Sequence, residues 1–180
     1  AGVGHHVALT LVGADRLPDS GYMRAKVMQE ELIRGAGLPY TIVRSTHCFE
    51  HLRSTVDFAT DDNTVVRVPS TDCQPVAAQD LADALTEVAL ADPLNGVVEI
   101  AGPEKIKFPE LMRRVLAAHD DPRQVVGEAH ARIFGTQLTD TSITAGPGAR
   151  LGRTSLAEWL DTRKQGPNVA PRIPSEGSGT

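Results

Sequence analysis

From Val7 to Val12 the chain runs Val-Ala-Leu-Thr-Leu-Val and then stops at Gly13. A short run that is apolar on both faces, rich in branched residues and ended by Gly predicts a strand buried in a parallel sheet. The polar, Pro-containing stretch from Ala14 to Gly21 reads as a loop. Apolar residues then return three and four apart at Ala25, Met28, Leu32 and Ala36, with Val27 and Ile33 widening the stripe, which predicts a helix from about Tyr22 to Ala36. Ser20 or Asp19 caps its start, and Gly35 and Gly37 mark its end. Tyr40 to Arg44 is the next strand. Strand, helix, strand is the unit from which parallel sheets are built.

The same alternation continues. Residues 46 to 58 read as helical, Thr64 to Val68 as a short strand, and Asp80 to Ala91 as a helix with Leu81, Leu85 and Val88 on one face. Val97 to Ala101 is another strand, and Phe108 to Ala118 a helix with Pro109 near its first position. Ser155 to Thr162 predicts a last short helix packed down by Leu156, Trp159 and Leu160. Residues 163 to 180, rich in Pro, Gly and Ser, are expected to be a disordered tail. The fold class is therefore α/β with one domain over residues 1–162.

Composition narrows the function. The net charge is -5 and the pI about 5.6, with Lys and Arg scattered, so there is no basic footprint for nucleic acid. No apolar run approaches the roughly 18 residues of a membrane span, and no charged-then-apolar leader opens the chain, so a soluble, cytoplasmic protein is expected. Cys48 and Cys73 are too few for a disulfide framework and read as free thiols. Ala1 stands at the start in place of Met, and a buried strand follows within a few residues, which leads us to expect that an upstream part has been removed.

Tyr22 and Lys26 lie four apart on the predicted helix, one turn from each other on one face. An ammonium beside a phenol favours the phenolate, which makes Tyr a workable proton donor or acceptor near neutral pH. The same ammonium can hold a ribose hydroxyl. Thr10 ends the strand that leads into the loop before Tyr22, and strand-end residues in open α/β sheets face the ligand crevice. Its hydroxyl is expected to bind a substrate carbonyl beside the Tyr.

Tyr-x3-Lys alone is common by chance. Its context is more specific. The words His6 to Gly13, Tyr22-Met23-Arg24-Ala25-Lys26 and Tyr40 to Thr46 resemble the short-chain dehydrogenase/reductase superfamily, in particular its atypical NmrA-like branch. The likeness continues through Val76 to Ala82, Glu99 to Pro103 and Glu158-Trp159-Leu160, and so covers about residues 4 to 161. It implies the C-terminal part of a Rossmann-like, doubly wound parallel sheet that binds NAD or NADP. It also implies an oxidoreductase acting on a small carbonyl or quinone, with Tyr22 as general acid/base, Lys26 as its partner and ribose ligand, and Thr10 orienting the substrate. Arg44, Ser45, Thr46 and His47 would lie beside the nicotinamide. The same branch includes members that bind the dinucleotide without turning it over, so a sensor is the alternative reading.

One part of the pattern is absent. The Gly-rich turn that seats the pyrophosphate on a helix N-terminus belongs to the first strand-helix unit of that family. Gly2-Val3-Gly4 precedes a strand, and the stretch from Gly146 to Gly152 follows no strand and contains Pro147, so both read as turns. The truncated chain is therefore expected to be inactive by itself, with Val7 to Val12 exposed as a sheet edge through which copies pair.

Other clusters have plainer readings. His47, Cys48 and His51 suggest a metal site, but on a helix Cys48 turns about 100° away from His47 and no fourth ligand is placed, so no metal is expected. His5 and His6 are placed at the exposed start of the first strand, and Asp15, Asp19, Asp61 and Asp62 in solvated loops.

Overall fold

The computed structural model describes residues 2–61 and 64–164. Four parallel strands make the central sheet: β1 (His6–Leu11), β2 (Tyr40–Ser45), β6 (Gly96–Ala101) and β11 (Arg150–Leu151), in the order β1-β2-β6-β11. Helix α1 (Gly21–Gly35) carries the chain from β1 to β2, as the strand-helix-strand pattern requires. Its N-cap is Ser20, whose hydroxyl accepts from the Met23 amide at 3.3 Å.

Between β2 and β6 lie helix α2 (Leu52–Phe58), strands β3 (Thr60–Asp61), β4 (Val65–Pro69) and β5 (Asp72–Cys73), and helix α3 (Ala78–Leu90). After β6 come β7 (Ile106–Lys107), α4 (Phe108–Ala118), β8 (Gln124–Glu128), β9 (Arg132–Ile133) and β10 (Thr136–Gln137). Past β11, helix α5 (Leu156–Lys164) closes the described chain. The tail expected from residue 163 thus gives way to helix at its first two positions, and from residue 165 it lies outside the described residues, as does Asp62.

β4 answers to the short strand expected at Thr64 to Val68, whereas β3, β5, β7, β8, β9 and β10 carry no signal in the sequence. β4 joins β8 in parallel and β3 in antiparallel pairing, and β5 pairs with β7. Around them sits the largest core cluster, with Phe49, Leu52, Val66, Leu111, Met112 and Trp159 among its members. Trp159 is the expected anchor of the last helix: its ring lies 5.2 Å from Phe49 and its indole N–H donates to Glu50 at 2.9 Å. A second cluster joins Val43 and Ile100 of the main sheet to Leu81 and Val88 of α3.

β1 lies at the edge of the described sheet, paired only with β2, and Leu9 is 42% exposed, so the run that reads as a buried strand forms in this chain the exposed edge also expected of it. The apolar stripe expected on α1 is turned the other way: Met28 and Leu32 are exposed, while Met23 and Glu30 are buried. The reason is Glu30. Its carboxylate, fully buried, takes hydrogen bonds from the Arg44 guanidinium at 2.8 and 2.7 Å, from the Thr10 hydroxyl at 2.7 Å and from Arg34 at 2.9 Å. A buried charge must be paired, so this bond set fixes the rotation of α1 against the sheet and overrides its apolar stripe.

Two residues past β1 the chain turns at Gly13, with φ 82°. A Cβ there would sit 1.8 Å from the carbonyl oxygen of Ser142, so only glycine lets the chain turn off the sheet at this point. Among the described residues no helix is long and apolar enough to cross a membrane.

Candidate active site

Two adjoining cavities open at the C-terminal ends of β1 and β2, the place where open α/β sheets bind ligands. The smaller, of about 540 Å³, is bordered by Tyr22, Lys26, Cys48 and His51. The larger, of about 580 Å³, runs under β9 and β10 toward Leu52, Phe108 and Leu111. Leu11, Ser45, Thr46, His47, Ser54 and Phe134 border both, so the two form one continuous groove.

Tyr22 and Lys26 are placed by α1 as their spacing requires. The Tyr22 ring is half exposed, and the Lys26 ammonium lies 5.9 Å from its centroid, over the face of the ring, while donating to Gln29 at 3.2 Å. Phe134 stacks on Tyr22, centroids 5.9 Å apart and planes 17° from parallel. Phe134 reaches there from a tight hairpin. β9 and β10 are joined by Phe134 and Gly135 alone, with φ of 56° and 79°, a turn that needs left-handed backbone at both central positions. For a bulky residue this conformation costs about 1 kcal/mol or more, and such strain persists where the surroundings hold it.

β2 supplies the floor. Ser45 and Thr46 are buried, and the Thr46 hydroxyl has no hydrogen-bond partner among the described residues. His47 hydrogen-bonds the Thr55 hydroxyl at 3.2 Å and lies 5.7 Å from the His51 ring and 6.4 Å from Phe134. Burial, with a smaller push from His51, lowers the His47 imidazole to about 4, so it is neutral at pH 7. Burial raises the Cys48 thiol to about 11 and the Cys73 thiol to about 12, with Glu50 and Asp72 adding to it, so neither is a thiolate at neutral pH.

Tyr22, Lys26, Ser45, Thr46 and His47 thus meet around one groove. Arg44 is not among them, and Thr10 is there with its hydroxyl engaged elsewhere. Thr10 borders the smaller cavity, but its hydroxyl donates to Glu30 instead of turning toward Tyr22. Arg44 is opposite Thr10 in the strand register, hence on the same face of the sheet, and its guanidinium is held by Glu30 and by Asp15 at 2.8 Å. Asp15, read as a solvated loop residue, is therefore part of an ion-pair network. Burial raises the Glu30 carboxyl, but hydrogen bonds from Arg44 and Thr10 outweigh it and hold Glu30 below the ordinary carboxylate range.

The residues of the smaller cavity suit the nicotinamide-ribose end of a dinucleotide, since an ammonium, a phenol and an orphaned buried hydroxyl converge there. Neither Gly-rich stretch forms a pyrophosphate seat. Gly2 to Gly4 lead into β1, and Gly146 to Gly148 precede β11, so neither opens a helix after a strand. Phe134 and Arg132 were not singled out from the sequence, because Phe-Gly lacks the Asn or Asp that marks such a turn.

Solved structures share the fold. An NADPH-dependent quinone oxidoreductase from Escherichia coli matches with a TM-score of 0.64 at 16% identity, over 91% of this chain and 69% of that one. An epimerase from Methanothermobacter thermautotrophicus matches with 0.64 at 12% identity, over 89% and 58%. The chain has the Rossmann-like α/β fold of these proteins. A quinone oxidoreductase from Escherichia coli in complex with NADPH shares it at 0.58 and 19% identity, and there the chain spans only 46% of its length. No family model and no curated protein matches the sequence.

Proposed function

We propose that the chain is the catalytic side of an NAD(P)-dependent oxidoreductase that reduces a small carbonyl or quinone, completed by a dinucleotide-binding segment that carries the pyrophosphate seat. The convergence of Tyr22, Lys26, Thr46 and His47 on one groove carries this reading. The likeness to proteins described as NADPH-dependent quinone oxidoreductases supports it.

In this reading the dinucleotide, when bound, supplies the hydride. Tyr22 donates the proton that the substrate oxygen needs as it becomes a hydroxyl, and recovers one from solvent, to which it is open. Lys26 holds the ribose and keeps a positive charge beside the phenol. His47, neutral and fixed by Thr55, offers a hydrogen bond from the floor without adding charge. Phe134, stacked on Tyr22, sets the ring's orientation and screens one side from water. The result is one hydride and one proton added across the carbonyl.

The second reading, a dinucleotide sensor, draws on one observation. Thr10, the third expected catalytic group, is occupied by Glu30. The two readings part in an assay of the protein translated from the full reading frame, with NADPH or NADH and a panel of quinones and aldehydes. Acceptor-dependent oxidation of the dinucleotide supports the enzyme; dinucleotide binding without turnover on any acceptor overturns it.

A further inference from the structure

The charges around the groove run against those of the chain. The sequence holds 23 acidic and 18 basic residues. Yet among the described residues no Asp or Glu borders either cavity, whereas Lys26, Arg67 and Arg132 do. Lys26 belongs to the site already described. Arg67 is ion-paired with Glu128. Arg132, the first residue of β9, is exposed at the mouth of the larger cavity and has no hydrogen-bond or ion-pair partner among the described residues.

The cavity it borders has mostly apolar walls, Leu52, Phe108, Leu111, Ile133, Phe134 and Ile143 among them, with Ser45, Thr46, His47, Ser54 and Thr55 on the side of the smaller cavity. Its volume, about 580 Å³, is that of a site for a drug-sized molecule. Arginine does not lose its charge at any working pH, and it binds planar oxyanions through two parallel hydrogen bonds. Beside apolar walls that attraction is less screened than in open water. A cation with no partner among the described residues, beside a mostly apolar cavity without carboxylates in its described lining, is complementary to a ligand that is apolar along its body and anionic at one end.

We propose that the larger cavity takes a flat, mostly apolar molecule bearing a carboxylate or sulfonate, and that Arg132 selects for that acidic group. This rests on the reading of the groove as a substrate site and names the class of substrate. The reducible oxygen then lies toward Tyr22 and His47, with the acid at the exposed Arg132.

Calorimetric titration of this 180-residue chain with an anthraquinone carboxylate and with the matching hydroxymethylanthraquinone tests it without any dinucleotide present. The acid is expected to bind about tenfold or more tighter, the effect of one hydrogen-bonded charge pair. Arg132→Gln, at an exposed position, is expected to remove that preference while leaving the affinity for the neutral probe unchanged. Equal affinities, a preference that survives Arg132→Gln, or no binding of either probe overturns the proposal. An Arg132-dependent preference in a protein that never oxidises NADPH would sink the oxidoreductase reading alone; turnover of quinones without an acid preference would sink this one alone.

Discussion

Glu30→Gln removes one negative charge from the middle of the network that fixes α1. The amide keeps the volume and one acceptor oxygen, but Arg44, whose side chain is 11% exposed, then faces it as an uncompensated charge. Breaking a buried pair by removing one partner destabilises by about 3–5 kcal/mol. Asp15 still holds Arg44 from a half-exposed position, which places the expected loss near the lower end, about 3 kcal/mol. In a chain of this size that corresponds to a fall in melting temperature of about 6–12 °C. Urea unfolding followed by far-UV circular dichroism measures it, with the slope m unchanged if only stability is affected. Arg34→Gln, at a side chain 38% exposed, is the control and is expected to lose less than about 1 kcal/mol. Glu30→Met with Arg44→Met should recover much of the loss, since an apolar pair needs no compensation. A loss below about 1 kcal/mol for Glu30→Gln would refute the claim that this carboxylate, rather than the apolar stripe, sets the helix.

His47 gives a pH signature. Its imidazole is lowered from 6.5 to about 4 in the folded chain, so the unfolded chain binds the proton first as pH falls. The contribution is complete above about pH 6.5 and declines between there and pH 4, by at most about 3 kcal/mol; His47→Gln should flatten that stretch of the stability profile, and an unchanged profile counts against a buried neutral His47. Calorimetric titration of this chain with NADH and NADPH should show no micromolar binding, because no described helix N-terminus seats the pyrophosphate. Sedimentation should show the chain self-associating with concentration, through the β1 edge and the exposed Met28 and Leu32 beside it; a monomer throughout would contradict this.

The main elements were legible because their signals are local. The run Val7 to Val12, the Gly-bounded helix and Phe108-Pro109 each carry their own punctuation, and α4 begins and ends at the residues the sequence indicates. Tyr22 and Lys26 were legible for the same reason, since four residues on one helix fix a relation. What failed depended on partners distant in sequence. Thr10 ends the right strand, but whether its hydroxyl faces the groove or α1 is decided by the register with Arg44 and by Glu30, twenty residues away. A Glu inside an apolar helix stretch, with an Arg on the following strand, was the available sign of a buried pair. The short strands β5, β7, β9 and β10 have two residues each, too few for any period to be visible. Phe134 reaches Tyr22 only through a turn whose first residue is atypical for it.

The central claim is that Tyr22 moves the proton. Tyr22→Phe keeps the ring on Phe134 and under the Lys26 ammonium and removes only the hydroxyl. Steady-state reduction of a quinone or carbonyl by the protein from the full reading frame is the direct measurement. A fall in kcat of about a hundredfold or more is expected, the contribution of a positioned general acid. A rate equal to that of the unaltered protein would contradict it.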